Sequence, residues 1–357
     1  MGKSMTSRER VRVTLGRGVP DRVPINYDAN PGIDGSLKVR FGVSDTEGLL
    51  QALHVDFRRI DVPYRGARLH ADIPERGVLV NDWGIHTRWI EHGTGGYWDY
   101  CDFPLRDATE DEVAAWPLPD TDDFDYSVVN EQCHRWDGYG LCHLCYGDLI
   151  NGNGMLRGME QTLIDLITDE PAGLLLADRR FAVQEKMARR TLEAAGGRID
   201  VLWLGEDLGT QMSPMISMDV FRRHFKPRYQ RLVDAGKAFG ARVMIHTCGS
   251  SSWAYDEFAD MGVDAVDTLQ PEAVDMSPAF LKKRFGGRLA FHGCISTAGP
   301  VAFGTVADVV ADCKKTLDIM MPGGGYCFAP THALQDNSPV ANVVAMYETA
   351  LKHGTYG

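Results

Sequence analysis

The residues in this chain best suited to chemistry are an imidazole and a thiol one residue apart. They are His246 and Cys248, in Ala241-Arg242-Val243-Met244-Ile245-His246-Thr247-Cys248-Gly249-Ser250-Ser251. Apolar, β-capable residues run straight into His-x-Cys-Gly and then into small polar residues, which predicts a buried strand delivering both side chains to its C-terminal end. Strand side chains alternate with a period of two, so His246 and Cys248 share a face while Thr247 takes the other. An imidazole beside a thiolate suits Zn²⁺ better than Mg²⁺ or Ca²⁺, which prefer oxygen. Two donors are not a ligand set, and the same pair fits a buried His and Cys at a strand end, so the other ligands must come from elsewhere.

Other expected strands also end in polar or soft residues: Glu206 and Asp207, Asp267 and Gln270, His292 and Cys294, and His332 in Ala329-Pro330-Thr331-His332. Buried without partners, such groups would cost on the order of 1–3 kcal/mol each. A zinc ion held by His246, Cys248 and one or two of Glu206, Asp207, Cys294 or His332, with one position open, would satisfy most of them together. Asp207 and Glu206 are the candidate acids. Asp207 could equally cap the loop that follows it. Asp28, Tyr146, Gln270, His292 and Cys294 are the candidate substrate contacts, the last two sharing a face if their segment stays extended. Cys142-x-x-Cys145 is discounted as a metal or redox pair, because strand positions three apart face opposite sides.

The elements that must position these groups follow a repeating rhythm. Thr6-Ser7-Arg8-Glu9-Arg10 reads as a capped helix start, and Pro20 to Asp28 as a first strand with a polar exit. A helix near Gly48–Leu53 and a short strand at Phe57–Ile60 come next. From Arg76 the aromatic, β-prone pieces Val78–Val80, Thr87–Ile90 and Gly96–Tyr100 predict an antiparallel insertion, whose Trp83-to-Tyr100 aromatics form either a lid or ordinary sheet packing. Asp107 to Tyr126 is acidic and proline-punctuated, a surface linker, so the insertion spans about 76–126. Strands then alternate with helices to the end: strands at 141–146, 201–205, 241–245, 265–269, 288–293 and 326–329, with helices at 154–167, 169–195, 217–239, 254–261, 277–285, 306–320 and 340–353. That alternation implies a parallel sheet with right-handed crossovers. Eight strands close most economically as one α/β (β/α)8 TIM barrel over 1–357, with an N-terminal extension and the small β insertion. The active site then lies at the strands' C-terminal ends. A doubly wound open sheet competes less well, because no Gly-x-Gly-x-x-Gly follows the first strand.

With 357 residues the chain can bury a large core, and its net charge of -12 argues against nucleic acid or an anionic membrane as partner. A small molecule or another protein fits better, and a homodimer is compatible. No apolar run reaches the roughly 18 residues of a membrane span, so a cytoplasmic protein is expected. Eight scattered cysteines fit reduced thiols and a metal better than a disulfide framework. Met1-Gly2-Lys3-Ser4-Met5-Thr6 formally matches a myristoylation pattern, which a short leader before Met5 explains as well.

Several of these stretches resemble the uroporphyrinogen decarboxylase-like superfamily. They are Glu206-Asp207-Leu208-Gly209-Thr210-Gln211, His246-Thr247-Cys248-Gly249-Ser250, Val266-Asp267-Thr268-Leu269-Gln270-Pro271-Glu272, and Gly323-Gly324-Gly325-Tyr326 with Ala329-Pro330-Thr331-His332. Arg8-Glu9-Arg10-Val11 and Pro20-Asp21-Arg22-Val23-Pro24 match its usual N-terminus, so the similarity spans nearly the whole chain. The resemblance implies the same barrel and two branches: metal-free decarboxylases, and zinc-dependent methyltransferases that work with a corrinoid protein or a thiol acceptor. The decarboxylases carry an early arginine-rich motif for substrate carboxylates, where this chain reads Asn26-Tyr27-Asp28-Ala29-Asn30-Pro31 with no arginine. His246 and Cys248 match the first two zinc ligands of the methyltransferase branch. At the third, where Pro-Gly-Cys is common, stands Pro330-Thr331-His332, so His332, Glu206 or Asp207 must complete the shell. The resemblance thus implies Zn²⁺ and a corrinoid (cobalamin) on a partner protein, with a methoxylated or methylated small molecule as methyl donor. Its alternative is a metal-independent decarboxylase, and a non-catalytic binding barrel is a third reading.

Overall fold

A computed structural model describes residues 4–92 and 95–357; the myristoylation-like start at 1–3 lies outside them. In chain order the strands are β1 (Phe57–Arg59), β2 (Val78–Val80), β3 (His86–His92), β4 (Gly95–Tyr100), β5 (Gly140–Leu144), β6 (Val201–Gly205), β7 (Arg242–Thr247), β8 (Ala265–Thr268), β9 (Ala290–Ile295) and β10 (Tyr326–Pro330). Seven form one sheet in the order β1-β5-β6-β7-β8-β9-β10. Every neighbouring pair in it is parallel, as right-handed strand–helix–strand units require.

The eighth member is shorter than the sequence predicts. Instead of a strand over Pro20–Asp28, only Pro24–Asn26 bridges the open edges. Asn26 N–H donates to Phe328 O at 2.9 Å, Phe328 N–H to Pro24 O at 2.8 Å, and Asp56 N–H to Ile25 O at 2.8 Å. Pro20 and Pro24 have no N–H to give, so a longer ladder cannot form there. The barrel closes nonetheless, between β10 and β1.

Helix Ser7–Leu15 forms as expected, with Thr6 and Glu9 making a capping box. It packs against strands including β5 and β10. Its arginines end on carboxylates at the strand N-termini: Arg10 on Asp56 at 2.7 Å and Arg8 on Asp200 at 3.0 Å. The end of the barrel opposite the site is thereby stoppered by paired charge.

Three helical expectations change. Helix Pro31–Phe41 is an addition to the sequence reading, although Pro suits a first helical turn. The helix expected over 154–167 is two, Asn151–Arg157 and Met159–Thr168, broken at Gly158 with φ 85°. The helix expected over 217–239 widens into a π-type turn at Phe221–Phe225 just before Pro227, which cannot donate to the preceding turn.

The supposed linker also holds structure. Glu110–Ala115 is a helix with a Thr109–Glu112 capping box, and its Val113 is fully buried in a small core with Ile85, Leu105, Leu156, Ala172 and Leu176. That core fastens the β2-β3-β4 sheet to the helices. By register Leu79, Trp89, Trp98 and Tyr100 share the sheet's other face, and all four are exposed. Among the described residues no helix is long and apolar enough to cross a membrane.

Candidate metal centre

β7 turns His246 into the barrel and Thr247 outward, where Thr247 is fully buried and its Oγ1 accepts the Leu208 N–H at 3.2 Å. Cys248 follows on the side of His246. Its Sγ lies 3.4 Å from His246 Nε2, the separation expected of two tetrahedral zinc ligands given bonds of about 2.0–2.3 Å. The chain then turns sharply at Gly249, with φ 70°. A Cβ there would sit 2.1 Å from Gly209 O, because the loops after β6 and β7 touch backbone to backbone. Gly249→Ala is therefore expected to destabilise the fold by about 2–4 kcal/mol and to loosen Cys248. Urea unfolding checks this, and a loss below about 1 kcal/mol would contradict it.

His332 comes from the loop after β10. It offers a nitrogen that lies within 4.8 Å of the ligand atoms of both His246 and Cys248. His246 and Cys248 are half-buried and His332 is exposed, so the set faces the open mouth.

The imidazole of His246 is aimed from behind. Its Nδ1 lies 2.7 Å from Asp267 Oδ2 and 2.9 Å from Thr268 Oγ1. A carboxylate can only accept, so Nδ1 carries a proton, and Nε2 is the nitrogen turned toward Cys248. Asp267 Oδ1 holds His292 Nδ1 at 2.5 Å, and His292 Nε2 meets Asn26 Nδ2 at 3.0 Å. Burial pushes the Asp267 carboxyl up, but His292 and His246 outweigh it and hold it far below the usual range. Burial also raises the Cys248 thiol, partly offset by His246, so without a cation the sulfur keeps its proton. A thiol, an aimed imidazole and a second imidazole, with a side left open, fit a divalent ion that prefers nitrogen and sulfur.

The structure also places the other expected site residues. Asp207 adjoins the cluster: Oδ1 takes the Cys248 N–H at 2.9 Å and lies 3.8 Å from His246 Nε2, while Oδ2 takes an Asn151 N–H at 3.0 Å. Burial raises its carboxyl, but His246 and these hydrogen bonds pull it below the ordinary value. Both its oxygens accept N–H groups. Burial raises the Asp28 carboxyl, and the charges of His332, Asp267 and His246 act on it.

Glu206 is not brought to the cluster, which corrects its assignment as ligand and acid. It is fully buried. Its oxygens accept N–H groups from Leu149 at 2.6 Å, Ile150 at 3.0 Å, Asn151 at 3.3 Å and Asp207 at 3.2 Å, and the Tyr229 O–H at 3.2 Å. Glu206→Ala would orphan those donors, with an expected loss of about 3 kcal/mol by urea unfolding. Burial pushes the carboxyl up to about 8 from 4.5. The folded state thus holds a proton the unfolded chain has lost, and stability falls as pH rises through that window. Glu206→Gln should flatten that slope.

Cys294 is also elsewhere. Positive φ at Gly293 (114°) and Cys294 (71°) breaks the two-residue alternation, turning the thiol away from the mouth. It is buried on the helix side, near Asp312 and Glu272. His292 remains inside as Asp267's second partner. Gln270 Oε1 accepts the Gly249 N–H at 2.7 Å, steadying the Cys248 loop, and Tyr146 is exposed beside Gly205. The bridging role of Asp267 and the contributions of Thr268 and Asn26 lie beyond the sequence reading. Thr268 has φ 86°, unusual for a β-branched residue and without a local sequence signal.

The sequence profile described as uroporphyrinogen decarboxylase (URO-D) matches residues 158–353. No curated protein matches the chain significantly. Among solved structures a methyltransferase from Methanosarcina mazei overlays with a TM-score of 0.66 at 17% identity, covering 98% of this chain and 99% of that one. Xylanase 10B from Thermotoga maritima has a TM-score of 0.41 at 12% identity, covering 66% of this chain and 82% of its own. A Penicillium canescens endo-1,4-beta-xylanase has 0.42 at 9%, covering 70% and 92%. The two xylanases overlay too loosely to bear on function, and the first likeness establishes the barrel fold.

Proposed function

The chain belongs to the uroporphyrinogen decarboxylase family, and from that premise we propose that it is a zinc-dependent methyltransferase moving a methyl group from a methoxylated or methylated small molecule to a corrinoid protein. The observation that carries this reading is the convergence of His246, Cys248 and His332, with Asp267 fixed behind the first. That the Methanosarcina mazei protein sharing this barrel is a methyltransferase agrees with it. The early segment Asn26 to Pro31 contains no arginine, which speaks against a tetrapyrrole polyacid.

Zn²⁺ held by these three residues would supply a Lewis acid for the heteroatom that gives up its methyl group. The chain's own residues do the rest. Asp267 keeps the His246 proton on Nδ1, leaving Nε2 free. Asp207 and Gln270 pin the backbone of Cys248 and Gly249. In the transfer the carbon–heteroatom bond breaks, the methyl group goes to the acceptor's nucleophile, and the heteroatom keeps the electron pair and needs a proton. Asp28, whose carboxyl keeps its proton to higher pH than usual, would be its source.

The test is zinc content together with methyl transfer from methoxylated compounds to free cob(I)alamin, followed by visible absorbance. About one zinc per chain and chelator-sensitive transfer are expected. A folded, zinc-free preparation that transfers no methyl group but releases CO₂ from a small carboxylate would instead favour a metal-independent decarboxylase.

A further inference from the structure

Arg59 ends β1, and the strand's alternation turns it into the barrel. Phe57, two residues earlier, faces inward with its ring 5.6 Å from that of His292, so Arg59 shares that face. Its register partner on β5 is Cys142. The side chain is 53% exposed because the mouth is open there. Its Nε donates to Asp61 Oδ1 at 2.8 Å. Among the described residues neither terminal nitrogen has a hydrogen-bond partner. Both members of this pair are exposed, so it adds little to stability. Its geometric effect is to steady the guanidinium while leaving free the edge that pairs with a carboxylate through two parallel N–H bonds.

The same mouth contains the metal centre. The Asp28 carboxyl senses His332, His246 and Arg59 together. Round the sheet, β5 and β6 separate β1 from β7, so Arg59 faces His246 across the bore. Between them lies a surface suited to a flat, apolar body. Trp203 on β6 is inward and part-exposed, its ring 5.0 Å from His292. At Gly205, one inward position further on, the Tyr146 ring packs against the backbone, its Cδ1 2.9 Å from where a Cβ would stand, and adds a second aromatic face to the wall.

We propose that Arg59 anchors an anionic end group of the substrate, so that the barrel selects a small molecule with a carboxylate at the end remote from the reacting group. The proposal rests on the metal-centre reading for the position of the reacting end. One arginine serves one carboxylate, in keeping with a small acid rather than a polyacid.

Calorimetry on the zinc-loaded full chain tests it, with 4-methoxybenzoate and the uncharged 4-methoxybenzyl alcohol as probes. The acid should bind at least about tenfold more tightly than the alcohol. Arg59→Gln should erase that preference and leave alcohol affinity and zinc content unchanged. Arg59→Lys should restore part of the preference, since it keeps the charge and loses the fork. Equal affinity for the two probes in the unaltered protein, no binding of either, or an acid preference that survives in Arg59→Gln would overturn the proposal. A folded protein that takes up no zinc yet still needs Arg59 to hold the acid would sink the metal reading and leave the anchor standing.

Discussion

Replacing His246 and Cys248 together by alanine is expected to lower bound zinc from about one ion per chain to below about a tenth, and methyl transfer by at least about a thousandfold. Two of the three donors go, and the one left, His332, is exposed. The variant should still fold. His246 and Cys248 are half-buried at a strand end, and Asp267 keeps His292 as a partner. One Asp267 oxygen loses its imidazole, at an expected cost of about 1–3 kcal/mol. Elemental analysis, the cobalamin absorbance assay and a thermal melt separate loss of metal from loss of fold. Zinc and turnover that persist in a folded double variant would place the chemistry elsewhere and favour a binding barrel or a lyase.

How far the sequence reveals this site depends on which interactions are local. The pairing of His246 with Cys248 is a property of two residues on one strand, and alternation alone predicts it. The parallel barrel is legible for the same reason: helices 306–320 and 340–353 carry their boundaries in local patterns and are found where expected. What fails depends on neighbours distant in sequence or on unusual backbone. Glu206 looks like a ligand because it adjoins Asp207 at a strand end. Nothing local reports that four backbone N–H groups and a tyrosine have taken its oxygens. Cys294 would face the mouth on a regular strand, and the positive φ at a non-glycine residue that removes it has no signature in composition. Arg59 escapes sequence reading because β1 is only three residues long, too short for alternation to stand out.

Asp267 shows what register adds, and its replacement is the second large effect expected. The pairings His246 with Asp267 and Asp267 with His292 are positions on three adjacent strands, so one carboxylate lies between two imidazoles. In Asp267→Asn one arm becomes an NH₂ group facing an Nδ1–H, and one histidine must surrender its tautomer. If that is His246, the proton moves to Nε2 and the lone pair offered beside Cys248 disappears. Zinc affinity should fall about 10- to 100-fold, as for other partners that orient a metal-binding histidine. Competition with a chromophoric chelator reads this directly. Acid sensitivity gives an independent check. The Asp267 carboxyl is held far below its unfolded value, so it contributes stability above about pH 4 that is lost as pH falls toward the folded value. The asparagine variant should therefore be less stable at neutral pH and lose less stability on acidification. Unchanged zinc affinity, with an acid transition matching the unaltered protein, would mean that the carboxylate neither aims His246 nor carries the charge assigned to it.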